Sequence, residues 1–438
     1  MAHGQQFNFT NTGQGVGFGT NVASNSAGFV VVTSQNDTTS NLYVQVYLCS
    51  NSSCSRVCAI PTFSGSPSAE FGKVVVISDT GLLAISAHAD SPGGSVYLYS
   101  VNSSACTPFS THLFSLDTND FGVALAVDGD VVVIYAINST DSNSTLFLYT
   151  CSNSTMSCDA YIYSPISLNS QGTSSSLSVQ NGTLYLSLPD YGSNSDGGLF
   201  VFSFDVGGYT EFIGSPFVYG IGISDRFGGW LSVCGKYVVM GSKDFNGGTG
   251  GALGYSCGGS TCSLLPGGPV TPPSGFPLSG FFGDLVCRNG QLIIGFFDSS
   301  NDGVLVLHNI SDSGISYTGL IATHLGSGEL LGAGMAYLPF ALVTGAPNFT
   351  PASRKRGGVS GPGIVYIYSL CGPTLCSAIT ACGSTLCSVN QICVASACQC
   401  MGPTTVTVTA TPTPTPTTTA SCSSIKNQFN ALGCCPGG

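Results

Sequence analysis

The stretch NDFGVALAVDGDVVVIYAIN (119–138) decides how this chain folds. It holds a Phe-Gly pair, a short apolar run ending at Asp128-Gly129, and a second run rich in valine. Such a segment suits either a folding unit or a binding loop, and recurrence separates the two. The pattern returns about every fifty residues, at Phe18-Gly19, Phe71-Gly72, Phe121-Gly122, Gln171-Gly172, Phe227-Gly228, Phe282-Gly283 and Leu331-Gly332. The glycine is kept in all seven copies, whereas Gln171 and Leu331 replace the aromatic.

A tight turn separates the two runs: Asp128-Gly129 here, Asn181-Gly182 in the fourth copy, Asn289-Gly290 in the sixth. Asn-Gly and Asp-Gly adopt positive φ readily, which predicts type I′ hairpin turns. Each copy then carries an alternating segment: LYVQVYLC, GSVYLYSV, TLFLYT, GGLFVFSFD, GALGYSC, GVLVLH and GIVYIYSL. Alternation at period two marks a strand. Four strands can be drawn per copy, the last being the least regular. A single four-stranded unit cannot bury both faces, so seven of them predict an all-β fold, a seven-bladed β-propeller. The Phe-Gly pair then belongs at the inner strand, where the ring fills space between blades and the glycine permits close backbone approach. Two segments compete to close the ring in the seventh blade: FNFT at 7–10, and 377–380.

The seven copies resemble FG-GAP repeats, the blades of integrin α-subunit propellers and many other extracellular propellers. FGVALAVDGDVVV matches the first half of such a repeat, and ALVTGAPNFT (341–350) nearly spells the second. The resemblance covers about residues 13–380 and implies a ligand-binding or cell-adhesion surface of integrin type. Integrin-type repeats often place a calcium loop between the two inner strands, where this chain has only a tight turn. Calcium needs six to eight oxygen ligands, so the resemblance is to the calcium-free variety, with no metal and no cofactor expected.

Composition locates the protein. Only 7% of residues are charged, Gly numbers 59, and the net charge of −11 reflects scarce Lys and Arg. Nucleic-acid binding would call for a basic face, so it is set aside. Sequons at Asn8, Asn36, Asn51, Asn102, Asn138, Asn143, Asn153, Asn181, Asn309 and Asn348 offer N-glycans as the source of solubility. Asn181 is the doubtful member, because it lies within a tight turn.

Twenty cysteines point to an oxidising compartment and a secreted, extracellular or cell-surface protein. Cys49/Cys54, Cys151/Cys158, Cys257/Cys262 and Cys371/Cys376 recur at one hairpin position, joining the outer two strands of a blade. Cys234 and Cys287 follow the inner strands of adjacent copies and suit a bond between blades five and six. Cys58 and Cys106 are left to pair. The five histidines are scattered, so a metal cluster is not expected.

The organisation reads as propeller (1–380), a Cys-rich segment (381–401), a Thr/Pro stalk (402–420) and a tail (421–438). The spacing of Cys382, Cys387, Cys393, Cys398 and Cys400 resembles the start of an EGF-like module, short of its sixth cysteine. The connectivity after Cys376 stays open, with Cys422 as a candidate partner for Cys400. The stalk favours an extended, O-glycosylated chain, with Thr404, Thr405, Thr407, Thr409, Thr411, Thr413, Thr415, Thr417, Thr418 and Thr419 as acceptors. In the tail, Ile425, Phe429 and Leu432 share one face of a short helix flanked by cysteines. No segment reaches the roughly 20 apolar residues of a membrane span, and MAHGQQFNFT lacks an apolar export signal.

Paired carboxylates would be needed for a hydrolytic site. Asp190, Asp196, Asp244, Asp298 and Asp302 fall in loops after second strands, where Asp beside Gly is an ordinary turn residue. No nucleophile elbow, zinc-protease motif or phosphate loop is present, so an enzyme is not expected. Arg354, Lys355 and Arg356 supply three of ten basic residues, a solvated loop, a contact to an acidic partner or anionic glycan, or a proteolytic processing site. Two function classes stand: a structural, self-associating filament subunit that engages its neighbour through stalk and tail, or an adhesion module using one propeller face.

Overall fold

The structure is a computed structural model. It describes residues 5–10, 17–35, 42–50, 53–61, 69–110, 112–115, 120–137, 144–166, 175–192, 195–205, 209–211, 218–219, 224–258, 261–273, 281–297, 302–324, 329–339, 341–348, 363–369, 392–394 and 399–401. Seven antiparallel sheets form, at 22–60, 75–114, 120–166, 176–219, 230–264, 281–324 and 335–369, here called blades one to seven. Their inner strands touch in a closed circle: Val22–Ser24, Val75–Ile77, Asp120–Asp128, Ser176–Gln180, Trp230–Cys234, Phe281–Arg288, Met335–Tyr337, and back to the first. The protein is an all-β, seven-bladed propeller. A separate hairpin pairs Ile392–Val394 with Gln399–Met401 and sets Cys393 opposite Cys400.

The N-terminal strand closes the ring. Gln5–Thr10 pairs antiparallel with Ile364–Ser369 and becomes the outer strand of blade seven. The competing segment, 377–380, lies outside the described residues, as do the stalk, the tail helix, Cys371, Cys376, Cys382, Cys387, Cys398, Cys422 and the Arg354–Lys355–Arg356 run.

The valine run is explained by burial on both faces. Blades stack face to face, so successive residues of each second strand feed opposite interfaces. Val132, Ile134 and Ala136 pack toward blade two, while Val133, Tyr135 and Ile137 pack toward blade four. Likewise Leu83 and Ile85 face blade one, and Leu82 and Ala84 face blade three. Apolar clusters fill all seven interfaces, the last joining Val30 and Val32 of blade one to Val343 and Val365 of blade seven. A strand buried on both sides needs apolar residues throughout, which is why these runs lack alternation. Each fully buried Val, Leu or Ile contributes roughly 1.5–3 kcal/mol.

The Phe-Gly pair anchors one blade to the next. Phe18, Phe71, Phe121, Phe227 and Leu331 are all essentially inaccessible. The following glycine has positive φ at Gly19, Gly72, Gly122, Gly228 and Gly332. A second glycine, at the start of the third strand in the preceding blade, lies against the backbone of the aromatic. Gly94 abuts Phe121, Gly197 abuts Phe227, Gly303 abuts Leu331, and Gly363 abuts Phe18, each too closely for a Cβ. The pair was expected on the inner strand. It lies there only in blades three and six, where a register shift absorbs it, and precedes the strand in blades one, two, five and seven. The side chain of Phe282 and all of Gln171-Gly172 lie outside the described residues.

Two of the expected turns take the type I′ sign pattern: Asn181 and Gly182 have φ of 50° and 71°, Asn289 and Gly290 of 50° and 74°. Asp128-Gly129 does not. Asp128 is the last residue of its strand, and the loop is Gly129-Asp130 with only Gly129 positive, at 56°. Glycine in the first loop position is the type II′ arrangement. The outer strands are the irregular ones, as expected. In blade two the edge breaks into Cys106–Pro108 and Leu113–Phe114.

Candidate functional site

One face of the propeller carries the hairpin turns; the other carries the loops between second and third strands and the connections from blade to blade. The loop face holds the charged constellation. It is built on the residue before the Phe-Gly pair, which adopts a left-handed conformation at Gly17, Glu70, Arg226 and Leu330, with φ of 66°, 54°, 49° and 55°. At Glu70 and Arg226 the side chain so placed meets the loops of this face.

Arg226 is the centre of the larger group. Its Nη2 lies 2.6 Å from Asp190 Oδ1 in blade four, and its Nη1 lies 3.5 Å from Asp244 Oδ2 in blade five. The backbone is stitched at the same place: Arg226 N–H donates to Ser195 O at 3.1 Å and Phe227 N–H to Asp196 O at 3.2 Å. Ser242 Oγ donates to Asp225 O and accepts from Asp244 N–H at 3.0 Å. Burial raises the Asp225 carboxyl above its ordinary range, with the Asp196 charge adding to it and a backbone hydrogen bond to Asn246 opposing. Arg226 Nε and Asp196 Oδ1 are enclosed without a hydrogen-bond partner among the described residues. Two carboxylates, Asp190 and Asp244, thus share one guanidinium, with Asp196 and Asp225 nearby.

Blade two has the counterpart. Glu70 Oε2 lies 2.7 Å from Lys73 Nζ and 3.4 Å from His88 Nε2. Burial opposes ionisation of Glu70, yet the hydrogen bond and charge of Lys73 outweigh it and hold the carboxyl low. Burial also holds His88 below its usual value, against the pull of Glu70. Asp90 accepts from Ser95 Oγ at 3.1 Å and Tyr97 Oη at 3.2 Å. Glu70 is thus occupied by Lys73 and His88, and Asp90 by two hydroxyls, an arrangement that braces loops.

Of the candidate carboxylates, the structure brings Asp190 and Asp244 together on Arg226, with Asp196 beside them. Asp302 is buried at the start of the third strand in blade six, and Asp298 lies outside the described residues. No group of three or more His, Cys, Asp or Glu suited to a metal occurs among the described residues. Sequence reading missed Glu70 and Arg226, although both stand immediately before a Phe-Gly pair.

Disulfides bind the hairpin face and two blade joints. Cys49–Cys54, Cys151–Cys158 and Cys257–Cys262 clip the outer hairpins of blades one, three and five, each between directly opposed residues with Cα atoms 4.0 Å apart. Cys58–Cys106 joins blades one and two, and Cys234–Cys287 joins five and six. Among the sequons, Asn102, Asn181 and Asn309 are exposed, and Asn153 and Asn348 are half-buried. Asn102 Oδ1 accepts from Ser104 N–H at 2.9 Å and Ser104 Oγ at 2.7 Å, an Asx turn in the outer hairpin. Asn153 Nδ2 donates to Thr80 O at 3.1 Å, across the joint of blades two and three. Asn8 lies in the closing strand, and Asn36, Asn51, Asn138 and Asn143 lie outside the described residues.

No family model matches the chain, and no curated protein matches it. Solved structures do. The WD40 repeats of RRP9 are 10% identical, with 84% of this chain and 99% of that chain covered at a TM-score of 0.52. The β-propeller domain of the Trilobed protease from Pyrococcus furiosus is also 10% identical, over 77% of this chain and 91% of that one, at a TM-score of 0.44. An ulvan lyase of a polysaccharide lyase family is 12% identical, over 84% and 96%, at 0.46. At such identities the likeness concerns the fold alone. The disulfides are compatible with an extracellular protein, and no helix among the described residues is long and apolar enough to cross a membrane.

Proposed function

We propose that the chain is a secreted, glycosylated structural protein, a subunit of an extracellular or cell-surface filament whose stalk and tail engage a neighbouring copy. The observation that carries this is the closure of the ring. Gln5–Thr10 completes blade seven, so no blade draws a strand from beyond Ser369 among the described residues. A rigid, disulfide-clipped wheel is thereby combined with a long carboxyl-terminal extension that the wheel does not need. The blades are of FG-GAP type in its calcium-free form, and the exposed sequons carry N-glycans. No enzymatic activity is proposed for it; in support, Arg226 engages Asp190 and Asp244, and Lys73 engages Glu70. The chain takes no nucleic acid.

The test is removal of residues 402–438 from the secreted protein, followed by non-reducing gels and negative-stain imaging. The intact chain should form threads or ladders, and the truncated one discrete wheels with an unchanged melting temperature. Discrete monomers of the intact chain, with a protease-sensitive tail, would refute the assignment.

A second proposal rests on the loop face. The Arg226 group holds loops of blades four and five in fixed relation, and the Glu70 group ties the entry segment of blade two to that blade's own loop, which is what an adhesion surface requires. Such a protein would keep its binding after loss of residues 402–438.

A further inference from the structure

A closed ring leaves every blade one outer edge, where unpaired N–H and C=O groups invite another strand. Six of the seven edges are defended. Blade seven ends on Gln5–Thr10, which carries the Asn8 sequon. Blade one ends on Cys54–Ile60, which holds Arg56 and is tied through Cys58 to blade two. Blades two and four end in fragments of two or three residues. Blade three ends on Ser157–Ile166, with Asp159 and Pro165, and blade five on the four residues Thr261–Leu264, with Pro266 just beyond.

Blade six differs. Its outer strand, Gly314–His324 (GISYTGLIATH), runs for 11 residues without proline, Lys, Arg, Asp or Glu. Among the described residues it pairs only with Gly303–Ser311. Tyr317 on this strand is 56% exposed. Leu264, 45% exposed, stands two residues before Pro266, whose carbonyl abuts Gly314. Two register shifts bend the strand, but charge, proline and shortness are missing. The Asn309 sequon lies opposite Ser316, near the start of the strand, leaving its later half clear.

The stalk supplies a matching strand. Between Pro403 and Pro412 runs TTVTVTAT, whose last seven residues alternate threonine with valine or alanine. β-Branched residues at period two are strand formers, and the two prolines bound the segment. In a strand, Thr405, Thr407, Thr409 and Thr411 fall on one face and Val406, Val408 and Ala410 on the other. Sugars on the threonines would therefore project from the sheet and leave the backbone edge free to pair. Neither segment carries charge, so their meeting leaves no unpaired ion. From Ser369 the chain to Thr405 reaches roughly 90 Å with the 392–401 hairpin folded, enough to leave its own wheel.

We propose that the outer strand of blade six accepts Thr405–Thr411 of a second copy as an added edge strand, the strand-addition mode of peptide recognition. This rests on the filament assignment above and names its joint. Hydrogen exchange by mass spectrometry on the full-length protein, below and above the assembly concentration, is the test. Assembly should slow the amides of 314–324 and of 405–411 together, by tenfold or more. Val406→Pro with Val408→Pro should abolish both protections and the assembled mass, with the melting temperature of the wheel unchanged. Tyr317→Lys, a charge placed on the acceptor edge, should weaken assembly in the same direction. Assembled particles whose 314–324 amides exchange as in the monomer would overturn the proposal while leaving assembly through the tail intact. Joint protection that is the same at every concentration would also overturn it, because the strand would then come from the same chain.

Discussion

Gly94 and Gly192 share one backbone conformation, φ of 91°, in opposite surroundings. A Cβ on Gly94 would meet Phe121 N and Phe121 O at 2.5 Å and His88 O at 2.7 Å; one on Gly192 would meet nothing within 4 Å. Alanine at either site bears the strain of a side chain at positive φ, about 1–2 kcal/mol. Only Gly94→Ala adds overlap with backbone across the joint of blades two and three. Overpacking of that kind costs about 1–3 kcal/mol, and here the obstacle is main chain that yields only if the joint opens. At about 2.1 cal/mol/K per residue, a propeller of roughly 365 residues unfolds with an entropy near 0.8 kcal/mol/K, so each kcal/mol moves Tm by about 1.3 °C. Gly192→Ala should therefore lower Tm by about 1–3 °C, and Gly94→Ala by about 3–6 °C. Side-by-side scanning calorimetry at one pH measures both. Equal losses would show that the glycine is kept for its turn alone, and that close contact with the aromatic does not hold the blades together.

Chain closure grades the disulfides. The separation of 53 residues between Cys234 and Cys287 implies about 4 kcal/mol, against about 2 kcal/mol for Cys257 and Cys262, five residues apart, so Cys→Ser at the first pair should lower Tm about twice as far. Blade six holds two groups with opposite pH dependence. Burial pushes His308 down to about 4, so its contribution is full above pH 6.5 and is lost as pH falls toward 4, by roughly 3 kcal/mol; His308→Phe should flatten that limb of a Tm–pH profile. Burial pushes Asp284 up to about 7 against the N–H groups of Met335 and Leu285, so its contribution is full below pH 4 and fades toward pH 7, and Asp284→Asn should remove that loss. Arg226 is 39% exposed, so Arg226→Ala should cost at most about 1 kcal/mol, shrinking in high salt.

Features that repeat were legible in the sequence, because repetition distinguishes a rule from an accident. The glycine after each aromatic, the Asn-Gly turns and the cysteines five to seven residues apart all recur, and each corresponds to a local geometry. Contacts between copies were not legible. Gly94, Gly197, Gly303 and Gly363 sit in GGS, DGG, NDG and GPG, strings that read as turns, whereas their partners lie in the next blade. A clue existed: the first three precede the next aromatic or leucine by about 27–30 residues. Asp190 and Asp244 were recognisable as loop acids, but Arg226 was not recognisable as their common partner. Gly17, Glu70 and Leu330 fill the same place in other copies, so the residue type there does not recur, and the left-handed φ that aims Arg226 at both loops is not visible in the sequence.

Stability and assembly should separate cleanly along the chain. The joint of blades seven and one is held by the pairing of Gln5–Thr10 with Ile364–Ser369, by the parallel bridge of Phe18 to Gly363, and by Ser24 Oγ donating to Tyr337 O. Only the first of these depends on residues 1–10. Removing those residues strips the outer strand from a blade whose third strand is buried throughout Ile364–Tyr368, exposing that strand's ladder and apolar faces. Loss of several ladder bonds, each worth about 1 kcal/mol net, together with the newly wetted apolar surface, amounts to about 5 kcal/mol or more, a fall in Tm of roughly 6 °C. Removing residues 402–438 takes no strand from the seven described sheets and should leave Tm unchanged while abolishing association. A ring that melts identically without residues 1–10 would mean that closure lies in the side-chain and backbone contacts of Phe18 and Ser24 alone, and the carboxyl-terminal extension would lose its claim to being the surplus segment.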